Sequence, residues 1–333
     1  MNKLRVTGLA LIVLLAMTIL FTACPNSAGV KPADGADTGT GGGTGGGTVP
    51  PTPGTYVKVP YDTLEDYLAN TASSEAVNYI EVTGNIPEEH FCANVFEPST
   101  LSKKLKAHPD KKVALKIETY PTGLTDMTAC FEACTSLTTA PDIPKGVTDI
   151  RWCFTGCTSL RTALAIPEGV TNMANCFDGC TSLTTVPAIP KGVTDMTNCF
   201  AYCTSLTTVP DILEGVTDIP YCFYGCTGLT TAPAIPVGVT DMGSCFANCT
   251  SLTTAPAIPA SVTVMGNCFY ACTKLTGVTL NCNYNAGNFN YSFQGCTALQ
   301  NGSIKVPAEQ LTIYKANADA MGTAADKFAA IAP

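Results

Sequence analysis

Apolar residues recur along this chain in one fixed phrase, seen most plainly in "GVTDMTNCFAYCTSLTTVPDI", residues 192–212. Val, Met, Cys, Phe, Cys, Leu and Ile hold their places from copy to copy, and polar or turn-forming residues fill the gaps. The first cysteine of the phrase falls at Cys130, Cys153, Cys176, Cys199, Cys222, Cys245 and Cys268. The second falls at Cys134, Cys157, Cys180, Cys203, Cys226, Cys249 and Cys272. Those positions fix a period of 23 residues over seven copies. An eighth copy, "YSFQGCTAL", keeps Phe293 and Cys296 but has Ser292 in place of the first cysteine. A unit this short cannot bury its apolar positions alone, whereas stacked units cover one another. Like residues then line up in columns about 4.8 Å apart if the units pair as parallel strands.

Within each unit the pattern divides into three. Leu-Thr-Thr-Ala, 137–140 in the first copy, predicts a short strand. Pro-x-Ile-Pro-x-Gly, 141–146, predicts a turn, because Pro141 and Pro144 cannot donate to a ladder. Asp-Met-x-x-Cys-Phe-x-x-Cys predicts one or two helical turns, with Asp126, Asp149, Asn172, Asp195, Asp218 and Asp241 as N-caps. Aligned carboxylates also raise a calcium ladder, but the Gly-Gly-x-Gly-x-Asp frame of calcium solenoids is absent.

Solenoid ends need covers. Residues 55–120 are expected to form the first, with helices over 63–70 and 99–108 and strands over 78–84 and 111–118. Residues 121–303 hold the repeats, and 304–333 are expected to close the far end with helices.

The first 24 residues stand apart. Lys3 and Arg5 precede an apolar run from Leu9 to Phe21, the layout of a secretory signal. Phe21-Thr22-Ala23-Cys24 resembles the lipobox of bacterial lipoproteins, with Phe21 where leucine is usual. That resemblance implies lipidation of Cys24. Residues 25–54, built around "TGTGGGTGGGTVPPTPGT", read as a Gly/Thr/Pro tether.

Composition narrows the chemistry. Charged residues make up 13% of the chain and the net charge is −8, which argues against nucleic acid. Two histidines, no Ser/His/Asp grouping and no phosphate loop leave nothing catalytic to name. No metal or cofactor is called for. Zinc would need four ligands and short knuckles, and a redox pair would favour one Cys-x-x-Cys. Two readings of the cysteines stay open: reduced thiols stacked in the core, or disulfides within or between units, such as Cys134–Cys153. Lys103, Lys104, Lys106, Lys111 and Lys112 read as a solvated face that could alternatively hold an acidic glycan or other surface polymer.

Residues between Phe and the second cysteine vary most, and tyrosine gathers toward the C-terminal half. Tyr202, Tyr221, Tyr224 and Tyr270 are therefore candidate ligand contacts, with Tyr284 and Tyr291 beside them. The first residues of the Thr-Thr pairs, Thr138, Thr184, Thr207, Thr230 and Thr253, form a second candidate surface.

The phrase Cys130-Phe131-Glu132-Ala133-Cys134-Thr135-Ser136-Leu137 resembles the Ala-Phe-x-x-Cys-x-x-Leu frame of BspA-like, Treponema-type leucine-rich repeats, with Cys replacing Ala. The resemblance covers 121 to about 300, and the Val-Pro…Tyr-Lys tail after Ile304 fits it too. It implies a leucine-rich-repeat-like, right-handed solenoid of about eight units on a cell surface, and a role in adhesion to host matrix, host cells or other bacteria. It supplies no catalytic residues. A structural envelope scaffold and a glycan-binding module are the competing functions. The lipid at Cys24 would hold such a domain at the outer membrane.

Overall fold

Eight phenylalanine rings stack face to face through the repeats, and the rest of the fold is arranged around that column. The computed structural model describes residues 54–91, 98–163 and 165–332; Cys24, the signal segment and most of the tether lie outside them. From Phe131 to Phe293, successive rings are 5.4–5.8 Å apart and within 10° of parallel. This spacing lies in the range that aromatic pairs favour. Each ring is buried, as are the Val, Cys, Cys and Leu of the six units from Phe154 to Phe269. Burying one such ring is worth about 1.5–3 kcal/mol, so the column is a principal source of cohesion between units.

Main-chain hydrogen bonding alternates along the Cys-Phe segment. Cys199 N–H donates to Met196 O at 3.0 Å, and Ala201 N–H to Asn198 O at 3.1 Å, each three residues back. Asn198, Phe200 and Tyr202 donate instead to the carbonyls of Pro220, Cys222 and Tyr224 in the next unit, at 3.0, 2.9 and 2.6 Å. Half of the N–H groups therefore close single turns and half join units. This geometry requires a left-handed residue before each cysteine. Asn198 has φ 54° and Tyr202 has φ 56°, and the equivalent pair recurs in every unit from Ala129 and Ala133 to Tyr291 and Gly295.

The acids expected to cap helices cap these turns instead, because no α-helix forms where every second N–H points along the stack. Oδ1 of Asp126, Asp149, Asn172, Asp195 and Asp241 accepts from the N–H two residues on, at 2.7–3.0 Å. Asp218 departs from the pattern. Two residues on stands Pro220, which has no N–H. Its carboxylate takes the hydroxyls of Thr217 and Thr240 instead, at 2.8 and 3.3 Å.

The strand segments are reduced to bridges between units, because proline follows them closely. One parallel ladder runs without a break through Asp126, Asp149, Asn172, Asp195, Asp218, Asp241 and Val264. The other links Thr139, Thr162 and Thr185, then resumes at Thr231 and Thr254.

Longer strands occur at the two ends. β1 (Val57–Pro60), β2 (Asn78–Thr83), β3 (Val113–Ile117) and β4 (Leu137–Thr139) form a parallel sheet in that order, so the N-terminal region continues directly into the first repeat. Helices α1 (Leu64–Asn70) and α2 (Thr100–Lys106) accompany it. Ser99 caps α2 and its hydroxyl donates to Cys130 O at 2.6 Å, tying that helix to the first unit. At the far end β5 (Val278–Thr279), β6 (Ile304–Val306) and β7 (Phe328–Ala330) form a second parallel sheet, with α3 (Leu311–Ala316) between β6 and β7. The tail expected to be helical thus also carries strands. Phe328-Ala-Ala has no strand alternation of its own, and pairing with Ile304–Val306 decides its state.

Candidate functional site

All fourteen repeat cysteines are buried, as are Cys282 and Cys296, and no disulfide joins them to one another among the described residues. The second thiol of each unit has a defined partner. Cys157, Cys180, Cys203, Cys226, Cys249 and Cys272 donate to a phenylalanine carbonyl of the preceding unit at 3.0–3.2 Å. Burial pushes the thiols up, to about 12 for Cys134 and Cys226. A nucleophile or a metal ligand needs a thiolate, and these sites oppose one.

The tyrosines lie elsewhere on the unit and come together. Tyr202 and Tyr224 meet edge to face at 5.2 Å, and Tyr221 and Tyr224 at 5.9 Å. Tyr221, Tyr224 and Tyr270 line a groove of about 280 Å³ with Ser244, Ala247 and Asn267. Tyr202, Tyr221 and Tyr270 are 38%, 45% and 39% exposed, so each presents ring surface to solvent. Burial and the neighbouring Tyr224 raise the Tyr202 phenol.

Two of these rings stand where the backbone favours glycine or asparagine. Tyr202 has φ 56° and Tyr221 has φ 57°. Other units place Gly156, Gly179 and Gly225 at the register of Tyr202, and Asn175, Asn198 and Asn267 at that of Tyr221. A bulky residue in this region is an outlier. The Tyr202 ring rests on Gly225, where an added Cβ would come within 2.9 Å of it. Trp152 and Tyr291 share the register of Tyr221 at φ 55° and 58°. Trp152 escaped the sequence reading, although its place before a repeat cysteine marks it.

The remaining candidates separate from this face. Tyr284 packs half-buried against Phe289 and Tyr314, so it belongs to the packing of the C-terminal end. Thr138, Thr184, Thr230 and Thr253 donate their hydroxyls to the carbonyl of the unit before, at 3.0–3.3 Å. Their O–H groups are thus engaged inside the ladder. Thr207 has no such side-chain bond among the described residues. The lysine run also divides: Lys104 pairs with Glu65 at 3.6 Å and Lys111 with Asp110 at 3.5 Å, while Lys112 turns toward the first repeats.

The BspA type leucine rich repeat region, in 6 copies, matches residues 127–243 and 197–316. The chain belongs to the BspA-type leucine-rich repeat family. Repeats of this family generally act as non-catalytic binding scaffolds. Similar solved structures include a leucine-rich repeat protein from Bacteroides ovatus, 25% identical over 58% of this chain and 55% of that one, with a TM-score of 0.43. This chain therefore spans about half of the Bacteroides ovatus protein. The leucine rich repeat protein of T. pallidum is 22% identical over 64% of this chain and 87% of its own, with a TM-score of 0.43. A leucine rich cell surface protein from Faecalibacterium prausnitzii is 19% identical over 77% and 84%, with a TM-score of 0.29. No curated protein matches the chain. Among the described residues no helix is long and apolar enough to cross a membrane.

Proposed function

We propose that this BspA-type protein is a surface lipoprotein, anchored through Cys24, whose tyrosine face binds a protein on host matrix, host cells or other bacteria. One observation carries this reading. Tyr202 and Tyr221 hold exposed rings at left-handed backbone positions that several other units give to glycine or asparagine, and others to the small Ala133, Ala271 and Ser244. Strain of this kind costs of order 1–3 kcal/mol and is kept where the side chain does something else. Tyrosine is a frequent interface anchor, and three rings around one groove provide a site for a partner's side chain. The lipobox-like Phe21-Thr22-Ala23-Cys24 and the Gly-rich stretch after it support an anchored, tethered domain.

Protease treatment of intact cells tests the location, and binding to immobilised matrix proteins tests the face. Cleavage on intact cells, with binding lost in the Tyr202→Gly, Tyr221→Asn double variant, is the expected result. Protection on intact cells with cleavage after lysis would instead favour an envelope scaffold.

A further inference from the structure

A second groove, of about 460 Å³, lies on the strand side of the first two repeats. Lys112 and Arg161 bring its charge, Thr139, Thr162 and Ser182 its hydroxyls, and Tyr79 an aromatic wall. No acid is among the described residues that line it. In a chain of net charge −8, this is a local reversal of sign. Its volume falls within the roughly 300–1,000 Å³ usual for small-ligand sites.

Both cations are available. Lys112 Nζ donates to Thr135 O at 3.2 Å and to Ser159 Oγ at 2.9 Å, two neutral oxygens that orient the ammonium and leave its charge unbalanced. The Arg161 guanidinium has no hydrogen bond or ion pair among the described residues. Arg161 also breaks a column: it stands where Thr138, Thr184, Thr207, Thr230 and Thr253 stand in their units. The hydroxyls of Thr139, Thr162 and Ser182 likewise have no partner among the described residues. Thr139 and Thr162 are opposed in the parallel ladder, and the register of β2, β3 and β4 carries the row from Thr139 through Ala114 to Tyr79.

We infer that this groove binds an acidic saccharide, a sugar bearing sulfate or carboxylate. Arg161 forks onto the anionic group, as guanidinium does with planar or tetrahedral oxyanions. Lys112 adds its remaining N–H. The row of free hydroxyls meets sugar hydroxyls, and the Tyr79 ring offers its face to the sugar's C–H side. A bare anion would use the cations alone, and an acidic peptide would leave the hydroxyl row unmatched. The site is separate from the tyrosine face, so each stands or falls alone.

The test is equilibrium binding of the full chain to dextran sulfate, polygalacturonate, neutral dextran, polyglutamate and inorganic phosphate. One or both acidic saccharides are expected to bind, more weakly as NaCl rises, with neutral dextran inert. Preference between the two assigns sulfate or carboxylate as the recognised group. Arg161→Thr restores the residue that the other units carry, so the fold tolerates it, and affinity is expected to fall at least about tenfold. Lys112→Gln is expected to weaken binding further. Equal binding by polyglutamate, full displacement by equimolar phosphate, or affinity unchanged in both variants would overturn the proposal.

Discussion

The thiol of Cys203 donates to the main-chain carbonyl of Phe177, 3.2 Å away in the preceding unit. The same carbonyl already accepts from Cys180 N–H at 3.0 Å, so the thiol fills its second lone pair. A side chain small enough for the column and able to donate one hydrogen is what this place demands, and cysteine meets both terms. The second cysteine of each pair is therefore an inter-unit fastener.

These thiols set an alkaline limit. Burial holds Cys134, Cys226 and Cys296 up at about 12, against the 9.0 of an open thiol. Between those values the folded chain keeps protons that the unfolded chain has released. Stability is then complete below pH 9 and falls as pH rises toward 12. The melting temperature is expected to drop steeply from pH 9 upward, and iodoacetamide at pH 8 is expected to label none of the described cysteines until the chain is unfolded. Rapid labelling of the native protein, or a melting temperature unchanged to pH 11, would refute the buried-thiol account.

The repeat was legible because Cys, Phe and Leu return at one interval, and the Phe131–Phe293 column follows from that alone. The turn chemistry was not. Cys130 and Cys134 are four apart, which imitates helical spacing, yet alternate N–H groups between them join the next unit. Left-handed backbone at Ala129, Trp152 and Tyr202 left no trace, because none of them is glycine. The exception at Asp218 was readable in principle, since Pro220 denies it the N–H that Asp195 and Asp241 use. Tyr221, Tyr224 and Tyr270 were singled out individually, but only the folded stack places them around one groove.

Gly322 marks the closure of the C-terminal end. It has φ 73°, and an added Cβ would lie 2.6–2.9 Å from Gln294 Cβ, Cα and N. Gln294 is held in turn, its N–H on Tyr291 O and its carbonyl accepting from Ala271 N–H. Gly322→Ala therefore combines backbone strain with a clash against fixed main chain. A loss of at least about 2 kcal/mol is expected in urea unfolding. Gly287→Ala serves as the control, since it has φ 83° with nothing within 4 Å, and should cost less.

Asp178 gives the same sign at acid pH. It stands in the column of Thr155 and Ala201, and its Oδ1 is buried without a hydrogen-bond partner among the described residues. Burial raises its carboxyl from 3.8 to about 6. Between those values the folded chain holds a proton that the unfolded chain has lost, so stability falls as pH rises from 4 to 6 and stays lower above. The penalty at pH 7 is about 3 kcal/mol at most. Asp178→Ala, the residue already present at 201, is expected to raise the melting temperature at pH 7 and leave it unchanged at pH 3.5. Equal effects at both pH values would show that packing, not charge, governs this position.

Tyr221 tests whether strain is retained for function. Its N–H donates to Gly243 O at 2.9 Å, which fixes it at φ 57° whatever its side chain. Asn175, Asn198 and Asn267 occupy the same register, and asparagine adopts this conformation more readily than tyrosine. Tyr221→Asn gives up one ring contact with Tyr224, worth about 0.5–1.5 kcal/mol, and relieves about 1–2 kcal/mol of left-handed strain. The two nearly offset, so the melting temperature should hold or rise slightly. Partner binding should nevertheless fall at least tenfold, as for an aromatic interface anchor. A ring kept only for folding would behave in reverse: the variant would melt earlier and bind as before.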